Sequence, residues 1–236
     1  MGHKNQQPLR GRSRHPHHSP TVNVQRASRR TPPFSKRARV ARRDQRLPFV
    51  PPEDWYEPRE EGSGYRMVIQ APGRGYRHVV TPEEVRARLE QAPAEFLAPL
   101  EVIQFSRMTR KKQSFPCYGM QWGATLYLYP IEENLVEYYD QPPKPSQLIE
   151  ARMYGGRWEQ EGRSSWKLVW TEAAIKDFYL NNILIHELGH LLDDRNVRPT
   201  DRERFAEWFA VRHGYLATSA ARPRPKKVIR RHHSAR

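Results

Sequence analysis

An α+β domain carried between two basic tails is the fold class this sequence predicts, from three observations. Short runs of β-branched, aliphatic and aromatic residues, bounded by Gly and Pro turns, recur between residues 65 and 170 and read as strands. Two longer helical stretches, 172–194 and 201–213, follow them, so strands and helices are largely segregated along the chain. Charge marks the limits of the domain. Residues 1–46 hold thirteen Lys/Arg against one acid (+12), 220–236 hold seven against none (+7), and 47–219 hold twenty-one against twenty-five (−4), which together give the net +15 of the 236-residue chain. The tails are rich in Arg, Pro, Ser and His and poor in aliphatic residues, a composition that cannot bury enough apolar surface to order itself. The expected organisation is a disordered basic tail at 1–46, a folded body at 47–219 and a disordered basic tail at 220–236.

Within the body, residues 47–64 are Pro-rich and acidic and read as an extended lead-in. Tyr65–Gln70 and Tyr76–Val80 are predicted strands around a Pro72-Gly73-Arg74-Gly75 turn. Thr81-Pro82-Glu83-Glu84 starts a helix, with a capping hydroxyl, Pro at the first helical position and Glu at the third, that runs to Gln91. Leu100–Phe105 is a predicted strand. The loop from Arg107 to Gly119 carries a basic cluster, Arg110-Lys111-Lys112, expected to be solvated. Ala124–Tyr129 alternates, with Thr125, Tyr127 and Tyr129 on one face and Leu126 and Leu128 on the other, and Pro130 ends it as suits an edge strand. Leu135–Tyr139 and Ser165–Trp170 are further strands, separated by a Pro-rich loop at 141–145 and an ambiguous segment at 148–154. Thr171 caps the helix 172–194, and Gly214 is placed to end the helix 201–213.

The chemistry is concentrated in His186-Glu187-Leu188-Gly189-His190. On a helix, residues four apart lie on one face about one turn apart, so the two imidazoles can reach one Zn²⁺ as neutral nitrogen ligands. Glu187 leaves on the neighbouring face, where its carboxylate can act as general base on a metal-activated water. The flanking run, Asn182-Ile183-Leu184-Ile185 and Leu191-Leu192, is strongly apolar, and titratable groups in such a run are costly to bury without a purpose.

His-Glu-Leu-Gly-His followed by Glu203-Arg204-Phe205-Ala206-Glu207-Trp208-Phe209-Ala210 resembles the zincin clan of zinc metallopeptidases. The second stretch is similar to the gluzincin helix in which a glutamate supplies the third protein ligand, as in lethal-factor-type peptidases and compact bacterial gluzincins. The resemblance covers residues 171–211 and implies a zincin-like domain, hydrolysis of peptide bonds, and a substrate strand paired with a sheet edge above the metal, a place given by analogy to Ala124–Tyr129, for which membership of the core sheet without a substrate role is an equal alternative. A histidine ligand of the metzincin kind is absent, since the sixth residue past the motif is Asn196.

Two glutamates can complete the site. Thr200-Asp201-Arg202-Glu203 reads as a capping box, which gives Glu203 a structural role at a helix start. Glu207 sits among Phe205, Ala206, Trp208, Phe209 and Ala210, where a carboxylate should be paired or metal-bound, so the expected ligands are His186, His190 and Glu207. The small Ala206 and Ala210 allow close approach to the motif helix. Asp193 and Asp194 follow His190 and either orient its free nitrogen or close the helix, the second reading being favoured. Tyr179, His213 and Tyr215 are candidates for steadying an oxyanion.

No apolar leader follows Met1 and no run reaches transmembrane length, so neither secretion nor membrane insertion is expected. Cys117 is the single cysteine, which excludes an internal disulfide and suits a reducing, cytoplasmic location. The prediction is a zinc-dependent metallopeptidase acting on a protein or peptide substrate. The alternative is a nucleic-acid-associated regulatory protein whose zinc-site fold is structural or non-catalytic, with the basic tails binding DNA or RNA without sequence preference.

Overall fold

The computed structural model describes residues 51–57, 64–114 and 117–218, so both predicted tails lie outside the described residues. The described part is a mixed α/β arrangement built on an open mixed sheet. Its strands are β1 (Arg66–Ile69), β3 (Val102–Phe105), β5 (Thr125–Leu128) and β4 (Gly119–Trp122), in that order across the sheet. β1, β3 and β5 run parallel, with Ile69 beside Phe105 and Phe105 beside Leu128. β4 turns back antiparallel on β5, pairing Gly119 with Leu128 and Trp122 with Thr125. A two-residue ribbon, β2 (Tyr76–Arg77) with β6 (Ile131–Glu132), and a three-stranded antiparallel sheet of β7 (Val136–Tyr139), β9 (Trp166–Val169) and β8 (Arg157–Gln160) complete the strands.

Of the two placements open to Ala124–Tyr129, the core-sheet one holds and the edge one does not. The segment predicted to be an edge, Ala124–Tyr129, supplies β5, which has neighbours on both sides, and β4 takes the outer position. β5 is buried on both faces. Leu126 and Leu128 enter the main core, as their alternation predicts, and Tyr127 on the opposite face donates its hydroxyl to the Asp54 carbonyl at 2.9 Å. The lead-in covers that face: Tyr56 donates to Gln104 Oε1 at 2.5 Å, and Asp54 accepts from Gln70 Nε2 at 2.8 Å. Burial pushes the Tyr127 phenol up to about 12, against a smaller opposing effect of the Thr125 side chain. Pro130 lies just past the strand, so it removes no ladder bond.

The caps behave as read from the sequence. Thr81 and Glu84 form a reciprocal capping box at the start of α1 (Pro82–Leu89), at 3.2 and 2.8 Å. Two short helices were not foreseen: α2 (Ala94–Leu97), and α3 (Arg110–Ser114), which occupies the predicted basic loop. Lys112 on α3 is buried, not solvated; its ammonium is 3.3 Å from Cys117 Sγ and 4.2 Å from the centre of the Tyr129 ring. α4 (Pro145–Met153) resolves the ambiguous segment as a helix, and β8 follows it as an unforeseen strand.

Thr171 accepts from the Ala174 amide at 3.2 Å and starts α5 (Glu172–Phe178). The predicted long helix is interrupted by a π-helical stretch, Tyr179–Ile183, before α6 (Leu184–Leu192). α7 (Pro199–Phe209) continues into a second π-helical stretch, Ala210–Tyr215. Gly214 therefore does not end the helix in a left-handed turn. Its role is close approach: a Cβ there would overlap the Asn181 carbonyl of the first π stretch. The core lies between the sheet and these helices, with Ile103, Phe105, Leu126 and Leu128 on one side and Ile175, Phe178, Ile183, Leu184 and Leu188 on the other.

Candidate metal centre

The apolar faces of α6 set the position of the motif. Leu184, Ile185 and Leu188 are fully buried, which turns His186 and His190 toward α7 and holds Glu187 against the sheet edge. His186 Nε2 and His190 Nε2 stand 3.1 Å apart. Glu203 reaches both, at 3.5 Å from His186 and 3.4 Å from His190. These three residues offer ligand atoms that all lie within 4.8 Å of one another, and they could hold a metal ion.

The third member of the cluster is thus Glu203, not the expected Glu207. The capping box that was to occupy Glu203 does not form, because α7 begins at Pro199 with Arg198 before it and without a side-chain cap. Pro at the first helical position fixes the entry angle and leaves Glu203 within the helix, on the face toward α6. Glu207 is four residues on and shares that face, one turn further along, where it lines a cavity beside His186 and Glu203. Which of the two meets the imidazoles is decided by where the helices cross. A Cβ at Gly189 would stand 3.0 Å from Phe209 Cβ and 3.1 Å from Ala206 Cα, so the crossing is at Ala206. The predicted small residue does permit the approach, and Gly189, inside the motif, is its partner.

Arg202 locks this arrangement, donating to the His190 carbonyl at 3.0 Å and to Gln121 Oε1 on β4 at 3.5 Å. Burial works to raise the Glu203 carboxyl, but its hydrogen bonds with His186 and His190 outweigh that and hold it well below the usual carboxylate range. Glu187 is 4% exposed, and its carboxylate packs against β4, where a Cβ on Gly119 would come within 2.8 Å of Glu187 Oε1. Gly119 is thus a site residue that sequence reasoning missed, its signal being only a glycine in an unassigned loop.

Asp193 does not reach His190. Its Oδ1 accepts from the Asn196 amide at 3.1 Å and its carboxylate from the Asn196 side chain, closing α6. Burial works to raise its carboxyl, but the Asn196 and Arg195 hydrogen bonds hold it down. Asp194 is exposed. The oxyanion candidates are engaged elsewhere. Tyr179 donates to the Tyr129 carbonyl at 2.7 Å, Tyr215 packs on Tyr154, and His213 packs on Phe209 with its carbonyl accepting from Arg88 at 2.6 Å.

A cavity of about 300 Å³ opens on the cluster, with His186 and Glu203 in its lining and a largely aromatic wall beyond them, drawn from β7, β8, α5 and the ends of α4 and β9. No helix among the described residues is long and apolar enough to cross a membrane. Comparison of the chain with family models, with curated proteins and with solved structures finds no match.

Proposed function

We propose that this chain is a zinc-dependent metallopeptidase with a zincin-like site, in which His186, His190 and Glu203 hold the ion and Glu187 is the general base. The observation that carries this reading is the convergence of two imidazole nitrogens and one carboxylate, with a second carboxylate on the adjoining helix face. The donors fit zinc in kind and spacing. Ligand atoms about 2.0–2.1 Å from a tetrahedral ion stand about 3.3 Å from each other; here the imidazole nitrogens are 3.1 Å apart, Glu203 Oε1 is 3.4 Å from His190, Glu203 Oε2 is 3.5 Å from His186, and one atom from each residue lies within 4.8 Å of the other two. Bound there, Zn²⁺ would supply a Lewis acid for carbonyl polarisation and water activation.

The chain's own groups do the rest. Glu187 takes a proton from water and returns it to the leaving amine. Its contact with Gly119 holds it against β4, the outer strand of the sheet, whose backbone edge can pair with an extended peptide by strand addition. That role passes to β4 from the β5 segment, since β5 has no free edge. Two measurements test the reading. Tag-free protein grown with zinc should carry one zinc per chain, and Glu187→Gln should keep the metal while losing hydrolysis of a mixed peptide substrate. Metal-free wild type ends the proposal, and loss of zinc in the variant would make Glu187 a ligand.

The charge partition favours a second reading, in which tails of +12 and +7 bind nucleic acid around a body of −4. The two are compatible, because the tails and the metal cluster occupy different parts of the chain.

A further inference from the structure

We propose that the cavity beside the metal cluster is a side-chain pocket for one large apolar residue of a peptide substrate, and that Ala151 and Trp158 set the size it accepts. The inference rests on the peptidase reading, which supplies the cluster the cavity opens on. Its volume of about 300 Å³ is at the low end for ligand sites and suits a single side chain. Tyr139, Tyr154, Trp158, Leu168, Trp170 and Phe178 form its wall. These rings are fixed from behind. Trp170 stacks on Phe178 with centres 4.9 Å apart, and Tyr139 lies 4.5 Å from Trp158. The buried Glu137 accepts from Trp170 Nε1 at 3.0 Å and from the Tyr118 hydroxyl at 2.8 Å, so it is a positioning residue for this wall. The turn between α4 and β8 presses on Trp170 as well, since a Cβ at Gly156 would be 2.7 Å from its ring.

A wall held this way cannot collapse to close the space, so an empty pocket forfeits contacts that an apolar side chain would supply. At the mouth, Ile149 is 61% and Val211 40% exposed, which continues the apolar surface outward. Three of the polar side chains in the lining are engaged: Asn182 donates to Glu150 at 2.8 Å, and Gln147 accepts from the Lys144 backbone amide at 2.8 Å. A charged side chain entering would lose its hydration against aromatic rings. Ala151 is the one small apolar side chain that α4 gives to the lining, and it is 4% exposed, so any larger residue there must project into the space.

The test reads binding, not turnover. Zinc-loaded Glu187→Gln protein is titrated by calorimetry with blocked peptides acetyl-Ala-Xaa-Ala-amide, where Xaa is Ala, Asp, Leu, Phe or Trp. The Leu and Phe peptides should bind about tenfold to a hundredfold more tightly than the Ala peptide, the gain expected for burying one large apolar side chain. The Asp peptide should show no gain. Adding Ala151→Phe should bring the Phe peptide to within about threefold of the Ala peptide, with zinc content unchanged, and Trp158→Ala should favour the Trp peptide if Ala151→Phe does not fold. Equal binding across the series, or discrimination that survives in folded Ala151→Phe, overturns the pocket. Discrimination without any cleavage by the wild type removes the peptidase reading and keeps the pocket; cleavage indifferent to Xaa does the reverse.

Discussion

Glu203→Gln keeps the length and shape of the third side chain and removes only its negative charge, which makes it the sharpest probe of the metal centre. In the fold, the Glu203 carboxylate lies 3.4 Å and 3.5 Å from the two histidine nitrogens, so each oxygen addresses one imidazole. An amide can keep one such contact, but its NH₂ group cannot coordinate a cation. Losing an outer partner of a metal ligand already costs about 10–100-fold in affinity, and losing the ligand itself should cost at least about 100-fold, or about 2.7 kcal/mol. Glu207→Gln is the matched control. It makes the same chemical change one turn further along the same helix face, and retention should stay within a few-fold of wild type. The assay is zinc content after equilibration with a graded series of chelators, read alongside circular dichroism to show that each variant is folded. If Glu207→Gln releases zinc while Glu203→Gln retains it, the crossing of α6 and α7 has been misread and the ligand assignment falls.

Three further outcomes follow from the same geometry. Gly214→Ala should destabilise the fold by about 3 kcal/mol or more, because the new methyl overlaps the Asn181 carbonyl and both partners are backbone-fixed; an unchanged denaturant midpoint would refute that contact. His78 is held below its ordinary value, chiefly by burial and despite its hydrogen bond to the Gln70 carbonyl, and His213 shifts the same way. Their neutral forms suit the fold, so stability is whole above the unfolded value near 6.5 and falls as pH drops through it. Metal-free protein should therefore unfold at lower urea at pH ~5.5 than at ~7.5, His78→Gln should lessen the difference, and an unaltered pH profile would refute the His78 contribution. Full-length protein should bind nucleic acid with steep salt dependence, and protein trimmed to 47–219 should lose that binding and keep zinc; equal affinity would place binding on the folded body.

Legibility in the sequence tracked how local the determining contacts are. The motif spacing, the Thr81 capping box and the Thr171 cap each depend on residues within one helical turn, and all were readable from the chain. The edge strand was not, because it depends on strand order. The alternation of Leu126 and Leu128 with Tyr127 correctly gave two distinct faces, yet nothing in that segment reveals that residues 51–57 cover one of them or that Gly119–Trp122 pairs on its outer side. The third member of the cluster was not readable for a related reason. Glu203 and Glu207 are four apart, so helical periodicity places both on the face toward α6, and only the axial height of one helix on the other chooses between them. That height is set by Gly189 against Ala206 and Phe209, three residues read separately from the sequence.

In the proposed metallopeptidase reading, Glu203 and Glu187 put the same chemical group to different work. Glu203 comes from a second helix, is 39% exposed at its side chain, and is kept anionic by the imidazoles it faces. An anion so placed is ready for a cation without first losing a proton. Glu187 comes from the motif helix itself, is almost wholly buried, and meets the backbone of an edge strand instead of an imidazole. The adjacent position in sequence turns it about 100° from His186 around the helix, so it can flank a bound ion without joining the set that holds it. In that reading, separation of ligand from base needs only the helical period and the glycine at position 119, which lets β4 come close enough to support the second carboxylate.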